Sequence, residues 1–189
     1  MKKIITTLVI TTAAMICALP AIAQQTKVNS SGGTSPHETT GAVIDGNRIT
    51  ITYGRPFTKD PRAGTPRKIW GTLVPYGRPW RMGSDEATLL LVQKPIEIGG
   101  TNLPAGAYTL YMIPSESGTS QLVISKGLGG WGIPVDTAHD FAKVDLTKAT
   151  LDTPVDEFTM SVGRNPSGGG LLKLSWESTA YSVAFTNAK

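Results

Sequence analysis

The clearest feature of this chain is alternation of apolar and polar positions. Ile49, Ile51 and Tyr53 share one phase, with Thr50 and Thr52 on the other. The last third repeats the pattern in Phe158-Met160-Val162, Leu172-Leu174-Trp176 and Tyr181-Val183-Phe185. A period of two puts each set on one side of a strand, and sheets with one apolar face must cover one another or curl up. Between these runs, Ala87–Val92 is apolar apart from Thr88 and predicts a strand with little exposure on either face. Pro95–Ile98, Tyr108–Ile113 and Gln121–Ser125 predict further strands, and Pro114 ends one of them. Turns are expected at Gly46-Asn47, Gly99-Gly100, Leu103–Gly106, Ser115–Ser120 and Glu177-Ser178-Thr179. No segment keeps apolar residues at helical spacing. Ala138–Leu146 comes nearest and reads as a short turn entering a strand.

The expected fold is therefore all-β, an antiparallel β-sandwich or jelly-roll-like barrel of about nine or ten short strands. A long loop should run from Gly54 to Pro79, with at most one short turn of helix or strand around Lys68–Leu73. Composition agrees: 21 Gly and 13 Pro are spread along the 189 residues, which suits short elements and tight turns.

The first 23 residues read differently. Lys2 and Lys3, an apolar run from Ile4 to about Leu19, and Ala21-Ile22-Ala23 form the pattern of a secretory signal peptide. Removing it leaves 166 residues, with 16 basic against 14 acidic side chains. That charge is too even for a nucleic-acid partner. The remainder is expected to be a flexible leader over 24–37 and a single β-sandwich domain over 38–189. It should be exported to the periplasm or the extracellular space, with no membrane span. Cys17 is the only cysteine, and the bulky Ile16 before it argues against a lipid anchor. The exported part has no disulfide and no thiolate, and nothing in it calls for a cofactor.

Candidate chemistry concentrates in one region. Tyr53, Arg55, Arg67, Tyr76, Trp80, Arg81, Asp85 and Glu86 gather arginine forks, aromatic faces and carboxylates. Arginine binds carboxylates and phosphates bidentately and stacks on aromatic rings. One reading is a site for a small anionic or polyhydroxy ligand, with Arg55 and Arg81 binding, Glu86 orienting them and Trp80 as a wall. The other is an ion-pair network of Arg81 and Glu86, with Arg55, pinning the long loop to the sheet. A hydrolase of an envelope-associated substrate would use Glu86 as acid or base, and needs that carboxyl exposed with a raised pKa. An envelope assembly protein would use an exposed sheet edge. His37 and His139 are the only histidines; they are weak metal candidates, since neither belongs to a metal-binding motif. Asp156-Glu157 is expected to start or blunt a strand edge, and Gly127–Gly132 to be a flexible turn with Trp131 tucked onto the sandwich or, failing that, a lid over a cleft. Asn29-Ser30-Ser31 is a glycosylation pattern that decides nothing.

These residues carry a resemblance. Ser35-Pro36-His37-Glu38, Tyr53-Gly54-Arg55-Pro56, Arg67-Lys68-Ile69-Trp70-Gly71, Leu73-Val74-Pro75-Tyr76-Gly77, Trp80 through Thr88, and Leu103 through Tyr108 with Ile113-Pro114 resemble domain of unknown function 2911. The resemblance implies a compact exported β domain with no established activity. It also implies that Tyr53, Arg55, Trp80, Arg81 and Glu86 are shared positions. Two departures stand out: Asp60–Pro66 looks inserted, and no tryptophan begins the strand at Ser120.

Overall fold

In a computed structural model, residues 26–28 and 35–189 are described. The signal-peptide reading and the Asn29 pattern lie outside them. Ten strands form one antiparallel sheet: β1 (Thr26–Val28), β2 (His37–Ile44), β3 (Asn47–Gly54), β4 (Thr88–Val92), β5 (Ile96–Ile98), β6 (Thr101–Leu103), β7 (Gly106–Ile113), β8 (Ser120–Ser125), β9 (Asp140–Arg164) and β10 (Gly170–Asn187). Their order is β1-β2-β3-β4-β7-β8-β9-β10-β5-β6. The chain is all-β, as the alternation predicts, and the sheet keeps two ends rather than closing into a barrel.

The sheet folds over itself through β9. Residues 140–146 of β9 pair with β8, whereas 147–164 pair with β10. The second half therefore lies across β2 and β3 as the opposite layer. The inward phases predicted from sequence meet between the layers: Ile49, Ile51, Leu90, Leu110, Phe158, Met160, Leu174 and Trp176 are all buried in one core. Phe158 sits at the centre of an aromatic cluster, edge-on to Tyr53 at 5.7 Å and to Trp80 at 5.1 Å. Trp80 in turn stacks on Trp176 at 5.9 Å.

Several boundaries differ from the sequence reading, each for a local reason. Thr26–Val28 pairs with β2, inside the stretch read as leader. The β2–β3 turn is Asp45-Gly46, one residue earlier than expected, and both residues have positive φ, as a two-residue hairpin turn requires. Glu177-Ser178-Thr179 is not a turn between strands. It is a bulge within β10, with register shifts on either side of Glu177, whose φ is 51°. A bulge absorbs turn-forming residues without ending the strand. The polar middle of β9 escaped the pattern because it rounds the corner between layers with most side chains in solvent. In β4, Leu91 is 43% exposed, so that strand has a solvent face.

The segment between β3 and β4 contains no helix. It is held by buried Ile69, Val74 and Met82, and by a two-way backbone bridge between Trp80 and Met112. Apolar knobs thus fix it to the sandwich.

Truncating the cluster's centre should show its weight. Phe158→Ala is expected to cost about 3–5 kcal/mol, read as a lower urea midpoint at unchanged m-value. A loss below about 1 kcal/mol would mean that the cluster does not organise the core.

Candidate functional site

β2 and β3 pair Glu38 with Tyr53, and both side chains point inward. Glu38 has no exposure and Arg55, just beyond β3, is 8% exposed. Arg55 Nη1 donates to Glu38 Oε2 at 2.8 Å, and Nη2 to Thr159 Oγ1 and Glu157 Oε2, both at 2.9 Å. Its Nε donates to the Phe158 carbonyl at 3.2 Å. The Tyr53 hydroxyl accepts from Met160 N at 2.8 Å and shares its one hydrogen between Glu38 Oε1 at 3.0 Å and the more distant Met160 O at 3.3 Å. Phe158 N also donates to Pro56 O, and Thr58 N to Asp156 O. These bonds fall on the side of β9 that faces away from β10. Two inward side chains and the β3 extension therefore finish the edge of β9 from Asp156 to Met160.

Arg55 is accordingly enclosed, and its partners are Glu38 and Glu157 rather than Glu86. Glu157 lies in mid-strand, not at a strand start. Sequence reasoning passed over Glu38 and Glu157 as partners, although Glu38 lies on the same alternate phase as Ala42 and Ile44. A charge on an apolar phase was the available signal.

Arg81, Asp85 and Glu86 lie elsewhere. Gly54 brings this loop against β3: a Cβ there would sit 2.2 Å from the Ser84 carbonyl oxygen. Met82 and Asp85 take left-handed backbone, φ 56° and 63°, held in part by Thr88 Oγ1 donating to Met82 O. The Glu86 carboxylate, 61% exposed, meets His37 Nε2 at 2.8 Å, and Asp85 Oδ2 is 3.7 Å from the same nitrogen. The pKa of Glu86 is lowered, chiefly by its own backbone N–H; burial opposes the shift, and His37 and Arg81 add smaller contributions that reinforce it. A carboxyl kept ionised is a poor proton donor near neutral pH.

Arg81 is half-buried. Its Nε donates to Gly83 O at 3.3 Å and its Nη1 to Trp131 O at 2.9 Å, and its guanidinium lies 5.5 Å from the Trp131 ring centre. Burial lowers its pKa, while Asp85 and Glu86 oppose that shift. Nη2 has no hydrogen bond among the described residues. Trp131 is 55% exposed, not tucked onto the sandwich, and the 126–139 segment overhangs β7 and β8. Beneath it is a cleft of about 390 Å³. Arg81, Trp131 and Lys126 line it, with Asp136 and His139 paired at 2.9 Å. At its floor the buried Tyr111 hydroxyl donates to Asp140 Oδ2 at 2.6 Å, and burial pushes that phenol's pKa up.

Of the remaining candidates, Trp80 belongs to the aromatic cluster and also lines, with Arg67, Arg81 and Asp85, a cavity of about 270 Å³. Arg67 donates to the Phe57 carbonyl, and Tyr76 lies half-buried beside Gly71. Among the described residues, no group of three or more histidine, cysteine or acidic side chains is placed to hold a metal ion, and no helix is long and apolar enough to cross a membrane.

A family model described as protein of unknown function (DUF2911) matches residues 35–185. The chain belongs to that family. No curated protein and no solved structure matches it. The match begins two residues before β2 and spans both the β9 edge seal and the Arg81 cleft.

Removing one member of the seal should cost far more than removing the pair. Glu38→Ala, which strands a buried guanidinium, is expected to lose about 3–5 kcal/mol in urea denaturation, and Glu38→Met with Arg55→Met to regain much of it. Equal losses in both proteins would argue against a buried pair.

Alkali should reach the same region. Burial raises the Tyr53 pKa, helped by Glu38 and partly opposed by Met160 N–H. With the folded value above the unfolded value of about 10, stability is complete below about pH 10 and is lost progressively above it. Tyr53→Phe should flatten the fall in melting temperature above about pH 10; an unchanged slope would exclude Tyr53 as its source.

Proposed function

We propose that this protein is an exported, non-catalytic binding module that takes a small anionic, polyhydroxy ligand in the cleft beneath the 126–139 segment. The observation that carries this reading is Arg81 at the cleft, with donors to spare beside an exposed Trp131. Of the five N–H donors a guanidinium offers, two are used within the chain. The remainder can fork onto a carboxylate or phosphate. Trp131 adds an amphipathic face. Export rests on the pattern of residues 1–23.

The hydrolase alternative is weaker because the Glu86 pKa is lowered, away from the near-neutral value that either an acid or a base there would need, and its nearest partner is His37 rather than a hydroxyl. The assembly alternative is weaker along β9, where the edge from Asp156 to Met160 is occupied.

Titration of tryptophan fluorescence with glucuronate, against glucose as the neutral control, tests the reading. Glucuronate should produce a saturable change that is absent in Trp131→Phe. Arg81→Gln should weaken binding about tenfold or more, as expected when a charge-assisted bond is lost. No saturable binding of glucuronate, or equal binding of glucose, would remove it.

A further inference from the structure

A second cavity, of about 280 Å³, lies on the same outer sheet face, lined by His37, Glu86, Thr52 and Leu89. Ala87, Thr109 and Gly130 line both cavities. Their floor is one cross-strand row, Thr52–Leu89–Thr109–Ser125, running from β3 through β4 and β7 to β8. What divides them is the backbone of the 126–139 segment, where Ala87 N donates to Gly130 O at 3.2 Å. The segment is also tied down by Arg81 Nη1 donating to Trp131 O at 2.9 Å and Thr109 Oγ1 donating to Gly127 O at 2.6 Å, so it forms a narrow strap over a floor that continues beneath it. The two halves also differ in charge. Each holds one carboxylate paired with a histidine, Asp136 with His139 in the first, but the first alone adds a guanidinium, that of Arg81. The other presents the exposed Glu86 carboxylate bonded to His37.

Resting on the binding reading above, we infer that the two cavities are halves of a single groove for a short linear glycan, with an acidic sugar at Arg81 and neutral sugars extending to Glu86. Three physical points select this class. The groove crosses the sheet face, where the floor strands already pair their main chains with neighbours on both sides, so recognition falls to side chains. An extended peptide held by main-chain pairing needs an edge instead. An ionised carboxylate accepts hydroxyl hydrogens and repels anions, so the Glu86 half suits neutral polyhydroxy units and the Arg81 half the acid group. The hydroxyl of Thr52 and the imidazole of His37 add polar contacts along the path.

Calorimetry with four probes separates the outcomes. Aldotetraouronic acid, one uronic acid on three neutral sugars, should bind at least tenfold tighter than glucuronate, and Glu86→Gln should remove that gain. Glu86 is exposed, so the variant should keep the wild-type melting temperature, and His37→Gln provides a second variant on the same half. Equal affinity for aldotetraouronic acid and glucuronate overturns the extended groove while leaving the Arg81 cleft intact. A matching gain with tetragalacturonate, acidic throughout, overturns the assigned charge polarity. A matching gain with a tetraglutamate peptide overturns the glycan class. Absence of binding by every probe overturns both readings.

Discussion

The architecture depends on how the edge of β9 is finished. A strand that leaves one sheet to build the opposite layer carries unpaired amides and carbonyls into the space between them, where each would be costly if left unbonded. Here the Tyr53 hydroxyl accepts from the Met160 amide and shares its hydrogen between Glu38 and the Met160 carbonyl, and Arg55 serves the Phe158 carbonyl. Placing a guanidinium there requires counter-charges, which Glu38 and Glu157 provide from opposite layers. The network thus joins β2 and β3 to β9 with directional bonds, where apolar packing alone would leave the register less firmly set. Its net stabilisation is modest, because desolvation offsets the attraction; the large penalty falls on breaking it.

That constraint also sorts the arginines. Arg55 cannot serve a ligand without unsealing the edge, so the two arginines read together from sequence have separate tasks. Arg81 lies on a loop fixed by Met82 and by the Trp80–Met112 bridge, and its side chain reaches the outer face rather than the core. Rigid packing behind a polar side chain is what a binding surface needs, since less freedom is lost when a ligand arrives.

Much of the fold was legible in the chain. Alternation placed Ile51, Phe158, Met160 and Trp176 on the correct faces because a half-buried strand imposes a strict period. The corner of β9 was not legible, since a strand exposed on both sides has no phase to read. Nor was the continuity of β10, because Glu-Ser-Thr is turn chemistry that a bulge also accepts. Of the site, the residue types were visible and the partners were not. Sequence proximity suggested pairing Arg81 with Glu86, whereas folding brings His37 to Glu86 and Trp131 to Arg81. Tertiary contacts across more than forty positions leave no local pattern. Glu38 was missed although a signal existed, since its phase assigns it to the interior and a buried carboxylate demands a cation.

The outer face then acquires its character by subtraction. Inward positions are taken by the core and the edge seal, and the ladders occupy the main chain, so only alternate side chains of β3, β4, β7 and β8 remain available. Along the row that floors both cavities these are Thr52, Leu89, Thr109 and Ser125, uncharged, and they make a floor without strong affinity of its own. Selectivity must come from the walls, where Arg81 with Trp131 and Glu86 with His37 stand on opposite sides of the Gly130 crossing. Walls of unlike charge on a neutral floor favour a ligand whose own charge is confined to one end. A uniformly charged chain would gain at one wall and lose at the other, whereas a neutral one would forgo the arginine altogether.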